Sequence, residues 1–177
     1  NGNLFKLTSS QGGFSVMGGA AVPVGNRVSF ASNGDTLLYA NGSNIITTTL
    51  TGTPAAITDT DAPTDVSYIM VHDQYAIALI RNTAQFQISE VGDITSWRAQ
   101  DVFTAESKPD KLLAGLVSKD GVLLLGPESG EFWVNDGISP FSRVRGLSLD
   151  RGIGSAYSLS KWGDEWFWID GKRTPIR

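Results

Sequence analysis

The sequence has 177 residues with 20 glycines, 7 prolines, no cysteine and one histidine, and its 14 basic and 18 acidic side chains give a net charge of −4. Without cysteine there is no disulfide framework, thiolate metal site or cysteine nucleophile, and one histidine excludes multi-histidine zinc or iron centres. An acidic balance argues against a dedicated nucleic-acid grip, and apolar runs of about five residues fall far short of the ~20 of a membrane helix.

Along the chain, helical periodicity is nearly absent and short, alternating or wholly apolar strand patterns recur. Asn3–Thr8 and Gly13–Gly18 read as the last two strands of a blade. Four segments of one design follow: Arg27–Leu50, Val66–Ile88, Lys111–Asn135 and Ser155–Arg177. Each reads as strand, polar turn, very apolar strand, second turn and third strand. The first turns centre on Gly34, Asp73, Gly121 and Gly163, spacings of 39, 48 and 42 residues, and one four-stranded propeller blade takes roughly 40–50. Outer fourth strands are expected at Ala55–Thr58, Trp97–Val102 and Phe141–Leu147, and the last segment ends on a third strand at Lys172–Arg177.

The turn chemistry agrees with hairpins. Asn33-Gly34, Asn41-Gly42, Asp120-Gly121, Asp136-Gly137 and Asp170-Gly171 are pairs that accept the positive φ of a short turn. The second strands, TLLYA, YAIALI, VLLLG and EWFWI, are apolar on both faces and must lie between two other sheets. Blades stacked face to face meet that condition. The expected fold is therefore all-β, a β-propeller of four-stranded antiparallel blades and an incomplete portion of a larger propeller. Residues 1–177 form one propeller region, with a partial blade at 1–24, blades at about 27–60, 66–102 and 111–147, and a partial blade at 155–177.

No residue set is assigned a catalytic, cofactor-binding or metal role. Trp133, Trp162, Trp166 and Trp168 could stack on sugars, but Trp166 and Trp168 share one strand face, Phe167 and Ile169 the other, and both faces are expected to be inter-blade core. Trp162, in a turn, fits that core least. His72 beside Asp73 reads as a turn histidine bonded to its neighbour, since no nucleophile elbow accompanies it. Ser118-Lys119-Asp120-Gly121-Val122 only approximates the turn motif of sialidase-like propellers, its glycine one place early. Asp59, Asp61 and Asp65 lack the alternation and glycine of calcium loops and read as a solvated linker. Arg143 and Arg145 on an outer strand, with Arg151 and Lys161, form the one basic group, read as a solvated edge rather than a partner contact. Asn41-Gly42-Ser43 matches a glycosylation sequon by chance.

One stretch carries a family pattern. Ala105-Glu106-Ser107-Lys108-Pro109-Asp110 leads into an apolar strand pair, followed by Ser129-Gly130-Glu131-Phe132-Trp133, Asn135-Asp136-Gly137 and Pro140-Phe141-Ser142-Arg143. This order resembles the packaged-DNA stabilisation proteins of short-tailed phages, also described as tail hub or tail accessory proteins. The resemblance extends over Asn1 to Asp170. It implies a structural virion protein of the tail, made in the bacterial cytoplasm, that is not an enzyme and needs no cofactor. It also implies a homo-oligomeric ring beneath the portal and its adaptor, carrying the tail needle or spikes, retaining packaged DNA and letting it pass transiently. The alternative is a carbohydrate-binding or glycan-hydrolysing propeller at a cell surface, resting on the tryptophans and the fold; specific glycan binding lost in Trp162→Ala would favour it.

Overall fold

The computed structural model describes residues 2–8, 13–19, 22–23, 27–106, 108, 110–138, 140–171 and 175–176. A hairpin, β1 (Phe5–Thr8) and β2 (Gly13–Val16), precedes four antiparallel sheets. The first sheet is β3 (Ser29–Ser32), β4 (Thr36–Ala40), β5 (Ile45–Thr49) and β6 (Ala55–Ala56). The second is β7 (Val66–His72), β8 (Tyr75–Ile80), β9 (Gln85–Glu90) and β10 (Asp93–Thr104). The third is β11 (Ala114–Val117), β12 (Val122–Leu125), β13 (Gly130–Val134) and β14 (Ser142–Leu149). The fourth has β15 (Ser160–Trp162), β16 (Glu165–Ile169) and β17 (Pro175–Ile176). In every sheet the strands lie side by side in chain order. Of the closing strand expected at Lys172–Arg177, residues 172–174 and 177 lie outside the described residues.

Tight turns produce this up-and-down order. Gly34, Gly42 and Gly137 take the positive φ expected of them. The β7–β8 turn achieves the same bend without glycine, with Asp73 at φ 48° and Gln74 at φ 67°, a short hairpin turn of the kind that matches strand twist. Asp170-Gly171 differs from expectation: Gly171 stays out of the left-handed region, and Asp170 is buried with Arg151 Nη1 3.0 Å from its Oδ2.

The core lies between the sheets. In β8 the period of two divides the side chains by size. Ala76 and Ala78 pack with Leu38, Ala40 and Ile45 of the first sheet and with Ile69 and Trp97 of their own. Ile77 and Leu79 point the other way and join Phe86, Val122, Leu124, Trp133 and Phe141 at the interface with the third sheet. Each large aliphatic side chain so buried contributes about 1.5–3 kcal/mol. A third cluster joins Ala114, Leu116 and Leu125 to Trp168 of the fourth sheet.

EWFWI corrects one expectation. Trp168 is buried and Trp166 half-buried against the third sheet, but Ile169, on the opposite face with Phe167, is 44% exposed. Among the described residues no sheet covers that face, so only one side of β16 is core. The β1–β2 hairpin has the same character at the other end. Its register pairs Phe5 with Val16 and Leu7 with Phe14, placing four apolar side chains on one exposed face. From the other face Lys6 Nζ donates to the Leu50 carbonyl at 2.8 Å, tying the hairpin to the first sheet.

Candidate functional site

Several residues of the family pattern gather at the third sheet, where Asp110, Asn135 and Asp136 hold turns. Asp110, just before β11, reaches the β12–β13 turn. Its Oδ2 accepts from the Glu128 and Ser129 backbone N–H at 2.9 and 3.1 Å, and its Oδ1 from the Ser129 hydroxyl at 3.1 Å. A Cβ at Gly126 would lie 2.5 Å from Asp110 Oδ2, so glycine there admits the carboxylate. Asn135 and Asp136 shape the β13–β14 connection, accepting from Gly137 N–H at 3.1 Å, Ile138 N–H at 2.9 Å and the Ser142 hydroxyl at 2.9 Å. Ser107 and Pro109 of the pattern lie outside the described residues. Hydrogen bonds to charged groups contribute about 1.5–3 kcal/mol net of exchange with water, so Asp110→Ala is expected to cost at least about 2 kcal/mol. Thermal unfolding checks this, with Asp110→Asn, which keeps an acceptor, losing less; equal losses would deny the clip its role.

Glu131 enters the sequence reading only as a position of the family pattern, with no role attached, and it is 2% exposed. Its Oε2 accepts from Trp133 Nε1 at 3.1 Å, and its Oε1 lies 3.6 Å from Arg143 Nη1 on the neighbouring strand. Alternation was the available signal: residues 131 and 133 share a strand face, so a carboxylate two places from a core tryptophan is buried with it.

The remaining candidates serve the scaffold. His72 ends β7 rather than occupying the turn, and its Nε2 is 3.2 Å from Asp73 Oδ2. Asp59 and Asp61 are more than a solvated linker: Asp59 Oδ2 accepts from Trp97 N–H at 2.9 Å and Asp61 Oδ2 from Ala99 N–H at 3.3 Å. The pairing of β10 with β9 shifts on either side of Trp97, and buried Gln87 fills the gap, donating Nε2–H to the Asp61 and Arg98 carbonyls at 2.8 and 3.0 Å. Asp65, at φ 57°, pairs with Arg81 at 2.7 Å. Among the described residues no group of three or more His, Cys, Asp or Glu could hold a metal ion. At Asp93, the Thr95 hydroxyl and N–H donate to Oδ1 at 2.7 and 2.9 Å and hold the carboxyl below its ordinary value.

The basic group does not gather into one patch. Arg143 pairs with Glu131, Arg151 with Asp170, and Lys161 lies over the Trp166 ring at 5.4 Å, leaving Arg145 exposed. Arg151 and Asp170 border a mixed-charge cleft of about 590 Å³ with Lys108, Glu128 and Asp150. Asn41 of the chance sequon is buried, its Oδ1 accepting from Ser43 and Asn44 N–H at 3.0 and 2.8 Å. Trp133 and Trp168 are core, whereas Trp162 ends β15, is 80% exposed and neighbours Phe167 at 6.2 Å between ring centroids.

Four-stranded antiparallel sheets joined in chain order and stacked face to face define a β-propeller. The chain belongs to the Phage_stabilise family, described as bacteriophage P22 Gp10, beta-propeller, which it matches over residues 1–175. It is thereby a phage structural protein and a virion component. No curated protein matches the chain. Among solved structures, YCF48 bound to D1 peptide superposes with a TM-score of 0.66 at 13% identity, over 94% of this chain and 55% of that one. The computationally designed Ika4 protein gives 0.58 at 12%, over 89% and 94%. A Lactobacillus plantarum protein gives 0.51 at 12%, over 97% and 60%. At these identities the likeness concerns the fold alone. The chain spans little more than half of YCF48.

Proposed function

We infer that the protein is a tail hub, a head-to-tail connector component that retains packaged DNA and scaffolds other tail parts. The family match over residues 1–175 carries this reading. Two features support it. The family-pattern residues Asp110, Asn135 and Asp136 are engaged in holding turns, which suits a rigid scaffold. The exposed apolar faces at both ends of the stack suit a part that works inside an assembly. The hub assembles as a ring with portal adaptor and needle or spike proteins. A net charge of −4 leaves little phosphate attraction, so DNA slides past without sticking.

The test is genetic and biochemical. Phage particles made without the protein are expected to fill with DNA and then lose it, becoming nuclease-sensitive and non-infectious, with restoration when purified protein is added. Particles that keep their DNA and infect without it would overturn the hub reading. Tight DNA binding by the purified chain at physiological salt would contradict the sliding argument.

A further inference from the structure

The first strands of the four sheets, β3, β7, β11 and β15, are each terminal in their sheet, and among the described residues each leaves one edge without a ladder partner. These edges converge, with β7 in contact with both β3 and β11. Together the four strands line a groove of about 310 Å³, at the small end of ligand-sized cavities. Its floor passes over Gly115, where a Cβ would overlap the Met70 methyl and lie 2.8 Å from its sulfur. Its walls offer aromatic surface: Phe30 is exposed, and Tyr68 and Trp166 are half-buried.

The charge of this groove is opposite to that of the chain. Lys161 lies over Trp166, and Arg27, two residues before β3, stacks its guanidinium 3.7 Å over the ring of Tyr157, three residues before β15. Among the described residues neither cation forms an ion pair with a carboxylate, whereas Arg81, Arg98, Lys108, Arg143 and Arg151 all do. Among the described residues, then, two ring-held cations have no carboxylate partner: Lys161 lines the groove, and Arg27 stands outside its lining, just before β3.

We propose that this axial groove binds an extended acidic peptide segment by strand addition. The β7 edge is closed at Ile69, whose N–H donates to Ser29 Oγ at 2.8 Å, so the ladder is supplied by the edge of β11 or β15, a recognised mode of peptide capture in which alternate side chains find pockets. Carboxylates on one side of the peptide meet Arg27 and Lys161, and apolar side chains on the other meet Phe30, Tyr68 and Trp166. A polynucleotide fits less well. Its phosphate backbone cannot complete an N–H/C=O ladder, and the net charge of −4 repels a long polyanion.

The probe is a fluorescently labelled peptide of alternating Glu and Val, titrated into the purified full chain beside its Lys-Val counterpart and an oligothymidylate of similar length. Saturable binding of the Glu-Val peptide is expected, weakened about tenfold by Lys161→Glu and again by Arg27→Glu, as removal of complementary charge predicts. Lys161 and Arg27 are exposed, and unchanged melting temperatures would show the variants folded. Lys119→Glu, exposed and outside the groove, is expected to leave binding unaltered. The proposal is overturned if the Glu-Val peptide shows no saturation up to about 1 mM, or if the Lys-Val peptide or the oligothymidylate binds as well. It also fails if Lys119→Glu weakens binding as much as Lys161→Glu.

Discussion

Trp133→Ala is expected to lower the free energy of unfolding by about 3–5 kcal/mol, the range for truncating a buried aromatic ring. The ring meets Phe86 edge-on at 5.0 Å and Phe103 at 6.1 Å, and Phe86 stacks on Phe103 at 5.2 Å. Truncation opens a cavity between the second and third sheets and takes from buried Glu131 the indole donor at 3.1 Å. Trp133→Phe separates the two effects in part, because it keeps an aromatic ring in the interface while removing the N–H together with some ring volume. Its expected cost is about 1–3 kcal/mol, that of leaving a buried acceptor short of a partner. Urea unfolding followed by circular dichroism measures both. A loss below about 1 kcal/mol for the alanine variant would mean that this interface is not close-packed.

Gly152→Ala is the second large effect, and it arises from space rather than backbone conformation. A Cβ at this position would overlap the Gly126 carbonyl oxygen and the Pro127 carbonyl carbon and lie 2.5 Å from the Glu128 nitrogen. All of these are backbone atoms, which cannot rotate away as a side chain would. The connection from β14 to β15 must then lift off the β12–β13 turn, loosening the Ile153 N–H bond to Gly126 at 2.8 Å and the Trp168 Nε1 bond to the Gly152 carbonyl at 3.1 Å. A cost of about 3 kcal/mol is expected, the upper end of typical overpacking penalties. Gly137→Ala supplies the contrast. Gly137 has φ +74° but open space around it, so its variant should lose only the conformational 1–2 kcal/mol or so of a left-handed residue. Thermal unfolding of the two proteins side by side decides the matter; the reverse order would refute the steric account.

Much of the architecture was legible because the relevant signals are local. Glycine pairs at Gly34, Gly42 and Gly137 announce turns, and β8 announces burial on both sides because Ala76, Ile77, Ala78 and Leu79 are consecutive and apolar. The outer strands were found roughly, with β10 running Asp93–Thr104 rather than Trp97–Val102, since its bulged edge has no clean period. EWFWI misled because composition shows that a strand can be covered on both faces, not whether a sheet lies on each. The purpose of the acidic residues was least visible. Asp59, Asp61, Asp110 and Glu131 look alike in sequence, yet two fasten a linker, one clips a turn and one is buried beside an indole. The roles of the three aspartates depend on partners distant in the chain, as with the 38-residue separation of Asp59 from Trp97.

The fastening of Asp59 and Asp61 to Trp97 and Ala99 matches two carboxylates, two residues apart, to two amides with the same spacing. Such a zip tolerates exchange at the intervening Thr60 but not a single insertion or deletion between the acids, which would throw both teeth out of step. Drift in this linker should therefore alter identity while conserving length, and related phage genes can be expected to vary at position 60 far more than in the count of codons around it.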